Sequence, residues 1–123
     1  MATEPKILIV EDEKPMSRAL ELKFSHSGFI TAVAGDGEEA LAKILNDKFD
    51  IVLLDLILPR LDGFGVLEAL QKKGVKVKVV VTSNLGQEED KKRAESLGAS
   101  AYYVKSNTPI STLVENIKKL VGV

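Results

Sequence analysis

The sequence contains no cysteine and a single histidine, His26. Without cysteine there is no disulfide framework, no thiolate metal site and no cysteine nucleophile. One histidine excludes a multi-histidine zinc centre and argues against a serine–histidine triad. Charge of one sign is missing too: 17 Lys and Arg face 18 Asp and Glu, a net charge of −1. That balance excludes a strongly basic nucleic-acid binder, though not a local basic patch. No apolar run approaches the roughly 18 residues that a membrane span needs. The first ten residues carry neither the basic start nor the cleavage pattern of a secretory signal. A cytoplasmic protein without membrane insertion is expected. What remains is a chain of 123 residues, 45% apolar and 28% charged, the size and balance of one globular domain. It has no repeat, low-complexity run or linker, so residues 1–123 are read as a single domain.

What is present is an alternation of apolar periods. Ile7-Leu8-Ile9-Val10 and Ile51-Val52-Leu53-Leu54 are continuous β-rich runs, and Val77, Val79, Val80 and Val81 form a third. Short runs of this kind, bounded by polar residues, suit strands buried on both faces. Phe29 to Ala34 and Ala101 to Val104 are weaker strands. Helical patterns lie between them. Met16, Ala19, Leu20 and Phe24 share one face, with Gly28 closing that helix. Asp36 and Glu39 form a capping-box pattern ahead of Leu41, Ile44 and Leu45. Asp62 can cap a helix that buries Val66, Leu67 and Leu70. Gln87 to Leu97 is highly charged, with Glu88–Lys92 and Glu89–Arg93 at pairing distance and only Ala94 and Leu97 apolar. That helix should pack thinly. Thr108 and Pro109 read as N-cap and first turn of a last helix, whose stripe runs from Ile110 to Val121. Five β–α pairs predict a parallel sheet with helices on both faces and right-handed crossovers.

In open sheets of this class, ligands bind beyond the carboxyl ends of the strands. The first strand ends in Glu11-Asp12, the third in Asp55, the fourth in Thr82-Ser83 and the fifth in Lys105. If the first and third strands are neighbours, three carboxylates converge. Two unit charges about 4 Å apart repel by roughly 4 kcal/mol at an effective dielectric near 20. Such a cluster needs a cation: Lys105 supplies one charge, and a hard divalent ion with oxygen ligands suits the rest, Mg²⁺ above all.

These residues resemble the pattern of a response-regulator receiver domain of two-component signalling, and the likeness covers essentially the whole chain. Glu11-Asp12 match the family's acidic pair and Asp55 its phospho-accepting aspartate. Pro59 and Asp62-Gly63 match the turn that follows, and Lys105, with Tyr102 ahead of it, matches the lysine that ends the fifth strand. The resemblance implies a flavodoxin-like (βα)5 three-layer sandwich with a parallel five-stranded sheet in the order 2-1-3-4-5. It also implies a phosphoacceptor signalling domain rather than an enzyme, catalysing at most its own phosphorylation and dephosphorylation. Asp55 would take a phosphoryl group from the phosphohistidine of a sensor histidine kinase or phosphotransfer protein. Mg²⁺ would be held by Asp12, Asp55 and the backbone carbonyl of Ile57, with Glu11 a direct or a water-mediated ligand. Lys105 would pair with a phosphoryl oxygen. Ser83 is favoured over Thr82 as the switch hydroxyl, because its spacing to Lys105 fits the family, and Tyr102 would change rotamer with it. The output face would be the fourth helix, fifth strand and fifth helix, serving a downstream effector without direct contact to nucleic acid.

Three departures qualify the likeness. Ile57 and, if Ser83 is the hydroxyl, Leu85 stand at the positions that flank the phosphoryl group in the family and tune its hydrolysis, and both are apolar here. The family more often has aspartate at the Glu11 position and usually has proline after the lysine, where this chain has Ser106. A cis bond before a non-proline costs about 2.5–4 kcal/mol, so either a trans peptide with an altered loop or a strained cis bond is expected. A degenerate receiver acting only as a protein-interaction module is the main alternative. A haloacid-dehalogenase-type phosphotransferase would want an aspartate where Ile57 stands, and a flavodoxin-like flavin binder would want a hydroxyl-rich loop where Glu11-Asp12-Glu13 stand. The chain stops at Val123, as expected either of a stand-alone regulator or of a fragment of a longer one.

Overall fold

The computed structural model of the protein describes residues 4–123. The chain is extended in β1 (Lys6–Val10), β2 (Ile30–Ala34), β3 (Ile51–Leu54), β4 (Lys78–Ser83) and β5 (Ala101–Val104). Between and after them come α1 (Lys14–His26), α2 (Gly37–Asn46), α3 (Gly63–Lys72), α4 (Glu88–Ser96) and α5 (Ile110–Val121). All neighbouring strands pair in parallel, and their order is β2-β1-β3-β4-β5. This is the three-layer arrangement expected.

The central strands β1, β3 and β4 are covered on both faces, which is why residues 7–10, 51–54 and 79–81 are continuously apolar. Leu8, Val10, Val52, Leu54, Val79 and Val81 turn toward one core, under α2, α3 and α4. Ile7, Ile9, Ile51, Leu53 and Val80 turn toward the other, under α1 and α5. Phe24 and Phe29 meet edge to face at 5.1 Å in the second core. The edge strands are less deeply covered, and Tyr102 and Tyr103 point to opposite cores, as strand alternation requires.

Five local readings are corrected. The inward face of α1 is Ser17, Leu20 and Phe24, while Met16 and Ala19 are exposed. In α2, Ala40 and Ile44 face the core and Leu45 does not. Asp36 does cap α2, accepting from the Glu39 N–H at 2.8 Å, but Glu39 returns its carboxylate to the Gly35 N–H at 2.7 Å rather than to residue 36. At α5 the N-cap is Pro109; Thr108 lies one residue outside, and its hydroxyl donates back to the Val104 carbonyl at 3.0 Å.

The fifth correction concerns α4. As expected it buries only Ala94. Arg93, however, pairs with Glu68 of α3 at 3.5 Å and lies 4.1 Å from the Phe64 ring centroid, rather than serving Glu89. A cation over an aromatic face is attracted by the ring quadrupole, and that contact is available only across the α3–α4 gap.

Candidate functional site

The pairing of β1 with β3 ends at Val10 opposite Leu54, so the next residues of both strands leave the sheet side by side. The Asp55 N–H donates to the Val10 carbonyl at 3.2 Å, and the Glu11 N–H donates to Ala34 of β2 at 3.0 Å. Glu11, Asp12 and Asp55 thereby each offer a carboxylate oxygen, and these oxygens lie within 4.8 Å of one another. Glu11 and Asp55 are buried, whereas Asp12 is exposed at the rim.

Lys105 enters from the far side of β4. Its ammonium donates to Asp55 Oδ2 at 2.8 Å and to Glu11 Oε1. The second oxygen of Glu11 accepts from the Glu13 N–H at 3.1 Å, and Asp55 Oδ1 accepts from the Ile57 N–H at 3.2 Å. Burial pushes the Glu11 carboxyl above its ordinary value, against the pull of Lys105 and the Glu13 amide. Burial also disfavours the Lys105 ammonium, but its hydrogen bonds to Asp55 and Glu11 prevail and hold the amine above its ordinary value. Three carboxylates against one ammonium leave the hollow formally at −2 when ionised. An all-oxygen donor set with one exposed carboxylate fits a hard divalent cation that keeps part of its water shell.

The rest of the rim is built by backbone. Ser83 is fully buried and its Oγ accepts from the Leu85 N–H at 3.2 Å. Tyr102 donates its hydroxyl to the Leu85 carbonyl, and its phenol is held above the ordinary value by burial, then by Asp90 and Asp55. Thr82 takes the opposite face of β4, where it lines a small cavity with Met16, Leu20 and the Lys105 stem. All described peptide bonds are trans. The Lys105–Asn107 segment forms a 3₁₀ turn, so the loop solves the missing proline by a trans bond and a changed path.

Three further contacts hold the rim together. Arg60 adopts φ +67° and its guanidinium sits 3.2 Å from Asp36 Oδ2, tying the β3–α3 loop to the cap of α2. Gly37 supports the same junction: a Cβ there would stand 1.8 Å from the Leu61 carbonyl oxygen. A Cβ on Gly63 would meet the Asp55 carbonyl at 2.5 Å, so α3 can start against the Asp55 backbone only with glycine at that position. The glycines were visible signals; the Arg60 partner was not.

The family model described as "Response regulator receiver domain" matches residues 7–118. The chain belongs to this family. Its relatives include the "Probable transcriptional regulator ycf27" of Guillardia theta, 37% identical over 109 residues that cover 89% of this chain and 42% of that protein. Among solved structures, the receiver domain of Francisella response regulator 1452 has 31% identity and a TM-score of 0.91, covering 96% of this chain and 97% of that one. Response regulator TrrA of Thermotoga maritima, solved in complex with Mg(2+)-BeF, has 29% identity and a TM-score of 0.83, covering 94% of this chain and 98% of that one. The chain spans less than half the length of the curated relatives it matches. It is a receiver domain of two-component response regulators, with the family's acidic cluster at its strand ends. No described helix is long and apolar enough to cross a membrane.

Proposed function

We propose that Asp55 is the phosphoacceptor of this receiver domain. The observation that carries the reading is the Lys105 ammonium bonded to the Asp55 carboxylate beside Glu11 and Asp12. A carboxylate oxygen of Asp55 attacks the phosphorus of a phosphohistidine in line. The new O–P bond makes an acyl phosphate, the P–N bond breaks, and the imidazole of the donor leaves. There is little covalent chemistry for other side chains to perform, so positioning and charge stabilisation dominate. The Ile57 N–H and Lys105 fix the two Asp55 oxygens before attack. After transfer, Lys105 follows the charge onto a phosphoryl oxygen, and Ser83 turns its hydroxyl from the Leu85 N–H toward another.

Asp12, Asp55 and the Ile57 carbonyl are the residues that would hold Mg²⁺, whose role when bound is to neutralise the phosphoryl and carboxylate oxygens. The TrrA structure with Mg(2+)-BeF supports this assignment. Glu11, with both oxygens already engaged, acts through Lys105 and water. The same reading places the protein in the cytoplasm, with a sensor histidine kinase or phosphotransfer protein upstream and an effector downstream. Balanced charge favours a domain that does not itself touch nucleic acid. The test is incubation with acetyl phosphate and Mg²⁺, followed by intact-mass measurement. One added phosphoryl group, absent in Asp55→Asn and with EDTA, is expected; no gain in the wild type would favour the interaction-module alternative.

A further inference from the structure

At the end of the sheet opposite the acidic hollow, a groove of about 500 Å³ opens between the C-terminal ends of α3 and α4. Leu67, Leu70, Val75, Val79 and Leu97 form its apolar wall, with Gln71, Lys76 and Ser100 at its mouth. Its volume lies in the range of sites for small organic ligands, roughly 300–1,000 Å³. It exists because α4 packs thinly: only Ala94 of that helix is buried, so nothing large from α4 fills the space below it.

The charge around the groove decides what it would take. Residues 71–81 carry Lys72, Lys73, Lys76 and Lys78 and no acid. Lys78 is engaged, donating its amine to the Leu120 carbonyl at the end of α5. Lys72, Lys73 and Lys76 are exposed and, among the described residues, pair with no carboxylate. A lysine at a helix C-terminus is ordinarily explained by the macrodipole, which presents about half a negative charge there. Two helix ends supply about one negative charge in total, and exposed Glu95 in the last turn of α4 supplies one more, against three ammonium groups. The surplus is positive, and it sits beside an apolar cleft in a chain whose net charge is −1.

We infer that this groove is a binding site for a soluble amphipathic organic anion, with an alkyl or aryl body against Leu67, Leu70 and Leu97 and a carboxylate or phosphate head at Lys76 and its neighbours. A concave cleft suits one monomeric molecule better than a membrane surface. The site is separate from the acidic hollow and does not depend on the phosphoacceptor assignment.

The experiment is a ¹H–¹⁵N NMR titration of the full chain with decanoate below its micelle concentration. Saturable shifts confined to the amides of residues 67–79 and 97–100 are expected. Decanol and decyltrimethylammonium should bind at least about fivefold more weakly, since they lack the charge that Lys76 answers. Lys76→Glu should weaken decanoate severalfold. Ser100→Phe, at an exposed position on the mouth, should block it while leaving the spectrum elsewhere folded. Equal affinity for all three decyl probes, shifts that spread over α1 and α5, or shifts that never saturate would overturn the assignment. So would concentration-dependent shifts of the same amides without ligand, which would give the groove to a second copy of the chain. Tighter binding of a short DNA duplex at these residues would assign the lysines to nucleic-acid phosphates instead.

Discussion

Glu11 shows how much one methylene can change at a strand end. Its longer stem carries one oxygen to Lys105 and leaves the other for the Glu13 amide, so a buried acid is satisfied on both sides. Its pKa is nonetheless raised by burial above 4.5. The folded state then holds the Glu11 proton more tightly than the unfolded chain does. Between pH 4.5 and the raised folded value, this residue lowers stability as pH rises. Lys105 acts at the other end of the scale: its contribution is complete below pH 10.5 and is lost as pH climbs through its raised value. In Mg²⁺-free urea melts, Glu11→Gln should therefore remove a downward slope on the acid side. The wild-type-minus-variant difference should fall with pH there; a flat or rising difference would mean burial is not what shifts the group. Ile57, 57% exposed, and half-buried Leu85 carry a separate prediction. Neither can orient an attacking water, so phospho-Asp55 should be long-lived. Ile57→Asn with Leu85→Glu should shorten its half-life, read by loss of the phosphoryl mass over time. That Asp12, Asp55 and Lys105 end strands was legible in the sequence, but their convergence needed the strand order that the family resemblance supplied. The clamp on Glu11 was not, because it depends on which amide its side chain reaches.

Elements were legible where burial and periodicity agreed. β1 and β3 announced themselves because both of their faces are covered, leaving no polar residue inside the run. The α1 face was misread because Ser17, small and polar, takes an inward position while apolar Met16 stays out. Hydrophobicity alone cannot report that choice when a neighbour one residue away fits the space. The α5 start shifted by one because the Thr108 hydroxyl found the Val104 carbonyl instead of an α5 N–H. The thinness of α4 was legible from its charge, but its latch was not: Arg93 reaches Glu68 and Phe64 from another helix. Because Arg93 is mostly exposed, the pair and the cation–π contact together are worth about 1 kcal/mol at most. Arg93→Ala should accordingly speed amide exchange in α4 by up to about fivefold and leave β1 and β3 unchanged. Equal acceleration in the central strands would mean that Arg93 supports the whole fold rather than one helix.

If Asp55 is the phosphoacceptor, as proposed, a signal from the acidic hollow to α4 would pass through the few atoms that join them. Ser83 Oγ holds the Leu85 N–H, and the Leu85 carbonyl holds the Tyr102 hydroxyl, so one residue of the β4–α4 loop is grasped from both sides. Turning the Ser83 hydroxyl toward a phosphoryl oxygen releases one side of that grip. A ligand shifts a two-state equilibrium only by its differential affinity for the states, and on this proposal the difference would lie in those two hydrogen bonds. Each is worth about 0.5–1.5 kcal/mol net, enough for a population change of up to about tenfold. Tyr102→Phe removes one bond and leaves every atom of the hollow in place. Phosphoryl uptake from acetyl phosphate should stay within about twofold of wild type. Amide exchange in α4 should already be faster before phosphorylation and should change less on phosphorylation. If α4 in the variant responds to phosphorylation as fully as in the wild type, the signal leaves the site without passing through Tyr102. The connection would then have to run through Lys105 and the 3₁₀ turn into α5, the other path by which the hollow touches that face.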